Sequence, residues 1–142
     1  MEYDALYRLT HGLYVLGAFD EYNERFAGSV VDAVMQVANK PWVIAVSCMN
    51  TSYTKSCVEK TKEFSLSVLG KNVNPQVFID FAFQSSRDAD KWKNTHKIVK
   101  DNLPYIHSSD SGCGVDFLCK SHICGRIFLS QGDVYAKRFS AI

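Results

Sequence analysis

Apolar positions along this chain come in short blocks separated by clusters of polar and turn-forming residues, the rhythm of strands joined by loops. The blocks LYVLGAF (13–19), FAGSVVDAVMQV (26–37), WVIAVSCM (42–49) and FSLSVL (64–69) read as strands. The second keeps Gly28 and Ser29 in its early part, as either a close ligand approach or a barrel corner would require. The third follows Pro41 and is almost continuously apolar, so it belongs near the centre of a sheet. The fourth alternates and is expected to keep one wet face. Helical spacing is only local. Residues 3–9 place Leu6 and Leu9 on one side and stop at Gly12. A helix ending near Lys62 turns Cys57 and Val58 inward and Lys55, Glu59, Lys60 and Lys62 outward, and another spans Pro75 to Phe81. Farther on, 96–99 reads as a brief strand and 103–114 as turn-rich. Strands are expected over 115–123 and 126–130, with Gln131-Gly132-Asp133 turning into a last strand over 134–139.

Many short strands with only local helices favour a mainly β fold, an antiparallel Greek-key barrel, over a parallel sheet. Gly112 and Gly114 form a lone G-x-G with no helix behind it, so no dinucleotide-binding strand–loop–helix unit is indicated. With no internal repeat or linker, residues 1–142 are expected to form one domain.

Composition narrows the function classes. Sixteen basic residues against fifteen acidic ones give no electrostatic footprint for nucleic acid and no dense basic stretch for a membrane surface. The longest apolar run, Trp42 to Met49, is under half of a membrane-spanning helix, and the acidic Met-Glu-Tyr-Asp start is unlike a secretory signal. A cytoplasmic protein is expected. Five cysteines, an odd number, fit reduced thiols. Cys113, Cys119, His122 and Cys124 lie close in sequence, but without a C-x-x-C pair they read as core or edge residues rather than a metal site. The four histidines accompany no nucleophile elbow or H-E-x-x-H helix, and no carboxylate pair stands out, so no catalytic side chain is assigned.

Two hydroxyl-rich stretches remain. In FAFQSSRDADKW (81–92), Ser85, Ser86 and Arg87 offer rotating hydroxyls and a planar fork of donors suited to a phosphate. The bland alternative is a serine cap with a solvated arginine. Asn50 to Thr54 opens a helix, where hydroxyls usually act as caps but where unpaired amides and the helix dipole also favour an anion. Together they suit a phosphorylated cofactor whose own ring carries the reaction.

The ordered set ALYRLTHGLYVL, GSVVDAVMQV, PWVIAVSCMNTSYT, FSLSVL and FAFQSSRDADKW resembles the flavin reductase and flavoredoxin family, whose fold is the FMN-binding split barrel. The likeness covers most of residues 5–92 and loosens beyond Trp92. It implies FMN at the interface of a homodimer. Residues Ser29 to Gln36, among them Val30, Val31, Asp32 and Ala33, would run along the ring. Ser47 and Asn50 would lie near the ribityl chain, with Ser52, Tyr53 and Thr54 at the phosphate, and Ser85, Ser86, Arg87 and Lys91 would complete the phosphate side. The family commonly has Asn-Thr where this chain has Asp32-Ala33, and Thr where it has Ala38. A partly buried Asp32 would disfavour a reduced, anionic flavin by on the order of 1 kcal/mol.

The resemblance implies hydride transfer from NAD(P)H to flavin, then electrons to free flavin, a redox protein or oxygen. A flavoredoxin-type electron carrier without its own NAD(P)H activity is the alternative. Asp32, Ala33 and Ala38 favour a third reading, a degenerate split barrel acting as a non-catalytic dimeric binding module.

Overall fold

The computed structural model describes residues 11–39, 42–124, 127–131 and 135–138, with side chains up to residue 119 except at 39 and 42. The helix expected over 3–9 and the turn at Gly132-Asp133 lie outside the described residues. In chain order the elements are β1 (Tyr14–Asp20), β2 (Arg25–Val31), β3 (Val34–Asn39), β4 (Trp42–Ser47), α1 (Tyr53–Thr61), β5 (Glu63–Val68), α2 (Pro75–Ala82), β6 (Lys97–Lys100), β7 (Leu103–Ile106), α3 (Ser108–Ser111), β8 (Val115–Cys124), β9 (Ile127–Gln131) and β10 (Tyr135–Arg138). Every pairing is antiparallel. The main sheet runs β2-β1-β5-β8-β9-β4-β3, with β10 also on β8, and β6-β7 form a separate hairpin. This is the expected mainly β, split-barrel-like architecture. The long β8 is its shared rail: residues 116–120 pair with β5, and residues 121–124 pair with β9.

The block over 26–37 is not one strand. Asp32 and Ala33 interrupt it, where Val34 N–H donates to Asp32 O at 3.1 Å and Ser47 N–H to Ala33 O at 2.9 Å. A polar residue and a small one suffice for the turn, and their effect on topology is large. They carry the chain from β2, at one end of the strand order, to β3 at the other. A register shift between Gln36 and Ala38 bends β3 further.

Apolar side chains form two layers. Leu16, Val46, Val58, Phe64, Leu66 and Cys119 fill the barrel. Val15, Val77, Phe81, Trp92 and Ile106 form an outer layer under α2 and the loops. Adjacent Val15 and Leu16 point to opposite faces of β1 and both are buried, which is why that block reads as continuously apolar.

The expected wet face of β5 is buried instead. Ser65 and Ser67 are inaccessible, because the β6-β7 hairpin lies over them: Ser65 Oγ donates to Pro104 O, and Ile106 N–H donates to Ser67 Oγ at 2.9 Å. Alternation showed small hydroxyls but not the cover that satisfies them. The stretch expected to be turn-rich accordingly contains β7, all four of whose residues are buried. Its hairpin turns at Asp101 and Asn102, both at positive φ, which Asp and Asn tolerate better than most residues. Lys55 also departs from expectation. It is buried rather than outward, its stem packed and its amine 3.1 Å from Glu59 one turn on.

Candidate functional site

A cleft of about 620 Å³ opens between the end of β2, the β4–α1 connection and the segment following α2. Of the residues singled out from sequence, Ser29, Val30, Val31, Asp32, Ser47, Ser52, Tyr53, Thr54, Ser85, Ser86 and Lys91 line it. Ala33, Gln36, Asn50 and Arg87 are not among its lining residues. Gln36 is exposed and donates to Ala38 O at 3.2 Å, while Thr51 rather than Asn50 reaches the cleft. The two distant hydroxyl-bearing stretches therefore do meet, while the apolar wall comes from Leu13, Val30, Val31, Met49, Phe81 and Phe83.

At the polar end, α1 begins with Ser52 as its cap, the side-chain oxygen accepting from Lys55 N–H at 3.3 Å. The helical ladder begins with Ser56 N–H on Ser52 O, which leaves the amides of Tyr53 and Thr54 ahead of it. No acidic residue occupies the first turn, so the positive end of the dipole is not neutralised by the helix itself. Thr54 is 2% exposed, and its hydroxyl takes no hydrogen-bond partner among the described residues. It is a polar group at a helix start, in a residue that lines the cleft.

Lys91 also lines the cleft; it is 4% exposed, and its amine donates to Phe81 O at 3.0 Å. That carbonyl belongs to the last turn of α2, where a cation complements the helix dipole. Among the described residues it is the one partner of an ammonium with three donors. Burial lowers the Lys91 pKa to about 8, so an anion in the cleft would restore what desolvation removes.

Ser85 and Ser86 divide into different tasks. Ser85 is exposed, and its hydroxyl accepts from Arg87 N–H at 3.2 Å, the turn-capping role of the bland reading. Ser86 lines the cleft but is 2% exposed and committed to β2: Gly28 N–H donates to its Oγ at 2.9 Å, and its O–H donates to Gly28 O at 3.0 Å. Because β2 ends the strand order, Ser86 stands in for the next strand of the sheet. Gly28 has its own explanation in this packing. A Cβ there would lie 2.8 Å from Phe81 and 2.9 Å from Trp92 Nε1, so the missing side chain makes room for an aromatic pair rather than for a ligand. Trp92 Nε1 in turn donates to Ala27 O at 3.0 Å.

Arg87 sits outside the cleft with its guanidinium carbon 5.3 Å from the centre of the Tyr53 ring. The Tyr53 hydroxyl donates to Asp20 Oδ2 at 2.8 Å, and burial together with this bond pushes its pKa up to about 12. Burial alone would raise the Asp20 carboxyl, but bonds from Asn23, Tyr53 and the Tyr22 amide outweigh it and hold Asp20 below the ordinary range. Asp32 is exposed, so its charge is screened and the penalty reckoned for a partly buried carboxylate does not apply.

Cys48, read from sequence as a core residue, is buried in the barrel core and also lines the cleft wall, a place the sequence did not show; desolvation pushes its thiol up to about 12 despite the nearby Lys55 charge. Met49, Phe81 and Phe83 were also missed as lining residues, although the apolar run into Met49 and the FAF triplet were the available signals. Cys48 and Cys57 are buried and Cys113 is half-buried, all three as free thiols, and Cys119 is buried in the barrel. No group of three potential metal ligands occurs among the described residues.

Residues 6–123 match the family model described as flavin reductase like domain. Over 107 residues the chain is 34% identical to a high molecular weight rubredoxin of Moorella thermoacetica, covering 75% of this chain and 46% of that protein. It is 28% identical over 107 residues to a ferric-chelate reductase (NAD(P)H) of Archaeoglobus fulgidus, covering 75% of this chain and 62% of that one. The chain thus spans about half to three-fifths of the length of these curated relatives. Among solved structures, the flavoredoxin of Desulfovibrio vulgaris (Miyazaki F) superposes with a TM-score of 0.75 at 17% identity, covering 91% of this chain and 72% of that chain.

Proposed function

The chain belongs to the flavin reductase like domain family, and from that footing we propose that its cleft holds a flavin nucleotide, FMN, in a protein that moves electrons from NAD(P)H to an acceptor. The observation that carries this reading is the convergence of Thr54, the start of α1 and Lys91 in one cleft with a long apolar wall. The residues fit such a group. A phosphate would find the uncommitted Thr54 hydroxyl, the amides of Tyr53 and Thr54 and two spare donors on Lys91. An aromatic ring system would lie against Val30, Val31 and Met49, with Ser29 and Ser47 as polar contacts. The bound flavin would supply the redox chemistry, accepting hydride from NAD(P)H and passing electrons on. The protein's own part is anchoring, orientation and exclusion of water, and none of these tasks needs a side-chain acid or base. Lys91 holds its proton at Nζ against the anion, and Val30, Val31 and Phe81 shield the inner wall.

The similarity to a protein called a rubredoxin, in a chain about twice as long as the shared part, favours an iron–sulfur redox protein as acceptor over free flavin or oxygen. A second copy of the chain as partner is supported by Met35, Val37 and Met49, which stay 64%, 50% and 73% exposed along β3 and the cleft rim.

Purified protein is expected to be yellow, with flavin absorbance that NADH or NADPH bleaches under anaerobic conditions. Retained colour without bleaching would select the carrier reading. Failure to bind added flavin at all would leave the non-catalytic barrel.

A further inference from the structure

We propose that the turn joining β1 and β2 is a bracket that fixes the spacing of the two polar walls of the cleft, with Asp20 and Arg25 as positioning residues for the flavin although neither lines the cleft. This rests on the flavin reading above and adds to it the residues that keep the anion end of the cleft assembled.

Asp20 and Arg25 are the last pair of the β1–β2 ladder and stand directly opposite each other. Opposite charges so placed ordinarily attract. Here no ion pair joins them among the described residues, and each reaches a different wall instead. Asp20 Oδ2 accepts from the Tyr53 hydroxyl at 2.8 Å, at the first residue of α1. Arg25 Nη2 donates to Ser86 O at 3.0 Å and to Arg87 O at 3.3 Å, in the segment that follows α2. Tyr53 and Ser86 line the cleft, whereas Asp20, Asn23 and Arg25 are not among its lining residues. The two walls are therefore tied to one turn from behind.

The turn between these arms is itself held. Asp20 Oδ1 accepts from the Tyr22 and Asn23 amides at 3.0 and 3.3 Å, and Asn23 Nδ2 donates to Asp20 Oδ2 at 2.8 Å and to the Tyr53 hydroxyl oxygen at 3.3 Å. Asp20 is 2% exposed, so water competes little for these bonds. On the other arm β2 grips the segment at a second point, where Trp92 Nε1 donates to Ala27 O at 3.0 Å. Lys91 thus lies in a stretch fastened to β2 on both sides. An anion that contacts Thr54, next to Tyr53, and Lys91 must span both arms. Without the bracket it has to draw the walls together itself, and that ordering is subtracted from its affinity.

The test is titration of FMN and of riboflavin by calorimetry into wild-type protein, Tyr53→Phe, Arg25→Met, Arg25→Lys and the Tyr53→Phe/Arg25→Met double variant. Tyr53→Phe keeps the ring and leaves Asp20 its bonds from Tyr22 and Asn23. Arg25→Met keeps the stem and also removes the buried Nε, which has no partner among the described residues, so both variants are expected to fold. Each should weaken FMN by about fivefold, the scale of one hydrogen bond. Arg25→Lys should fall between wild type and Arg25→Met. The double variant should lose about fivefold to tenfold rather than the product of about 25-fold, because cutting either arm already frees the walls. Riboflavin, which lacks the phosphate, should bind every variant as it binds wild type. FMN losses that multiply in the double variant, equal losses for riboflavin, or no FMN loss in either single variant would each overturn the bracket while leaving the flavin reading intact. Wild-type protein that does not bind FMN would overturn both.

Discussion

Replacing Ser86 by alanine removes one hydroxyl and with it two buried bonds to the same residue, Gly28 N–H at 2.9 Å and Gly28 O at 3.0 Å. Gly28 lies on the outer edge of β2, opposite Gly17 of β1, so no further strand among the described residues satisfies these groups. The net worth of two such bonds is about 2 kcal/mol, and orphaning a buried amide and carbonyl raises the cost, since each unsatisfied group is penalised by about 1–3 kcal/mol. The cleft beside Ser86 admits water to part of the gap, which sets the expected loss at about 2–4 kcal/mol. A domain of ordinary stability survives that loss. Its melting temperature should fall by roughly 3–4 °C per kcal/mol, about 6–16 °C in all. The assay is urea unfolding followed by Trp fluorescence, with Ser85→Ala as companion. Ser85 is exposed and its loss should stay within about 0.5 kcal/mol. A Ser86→Ala midpoint indistinguishable from that of Ser85→Ala would refute the reasoning and show that the segment is not held through Gly28.

Three further outcomes follow from other parts of the molecule. Gly28→Ala drives a methyl into Phe81 and Trp92, and an overpacking cost of about 1–3 kcal/mol should appear with a shift in Trp emission; an unchanged midpoint would show that the aromatic pair yields freely. Lys91, with its pKa lowered to about 8, carries a proton that an anion retains, so FMN affinity should weaken as pH rises through about 8 while riboflavin, lacking the phosphate, shows no such trend; parallel profiles would remove Lys91 from the phosphate site. Burial raises the Asp116 carboxyl to about 6 against a partial offset from Ser67. A pKa raised on folding gives stability that is present at low pH and lost as pH climbs from about 4 to 6, so Asp116→Asn should stabilise the protein at pH 7 and flatten that stretch of the stability profile.

What was legible in the sequence was whatever a residue's type declares without its neighbours. Apolar blocks announced β1, β4 and β5, Pro75 announced the start of α2, and two hydroxyl-rich stretches announced the polar end of the cleft. What was hidden depended on partners brought from afar. Ser65 and Ser67 read as a wet face because nothing local reveals that Pro104 and Ile106 cover them. Lys91 entered the site only through the family resemblance, because a buried ammonium is rare and only the fold shows Phe81 O waiting for it. Asp32-Ala33 was noted as a chemical departure while its geometric role, the crossing between the two ends of the sheet, went unseen. Asp101-Asn102 was a hairpin signal that the surrounding turn-formers masked.

The crossing at Asp32 and Ala33 leaves β2 and β3 joined by covalent chain but by no ladder bonds among the described residues. The cylinder thus has a seam, and the cleft draws its walls from both flanks: Ser29 to Asp32 on one, Ser47 at the end of β4 and Cys48 just after it on the other. A molecule lodged there acts as mortar between courses that the backbone leaves unbonded. Occupancy should therefore be read in the melting of the whole barrel, by about 2.7 kcal/mol at a hundred times the dissociation constant.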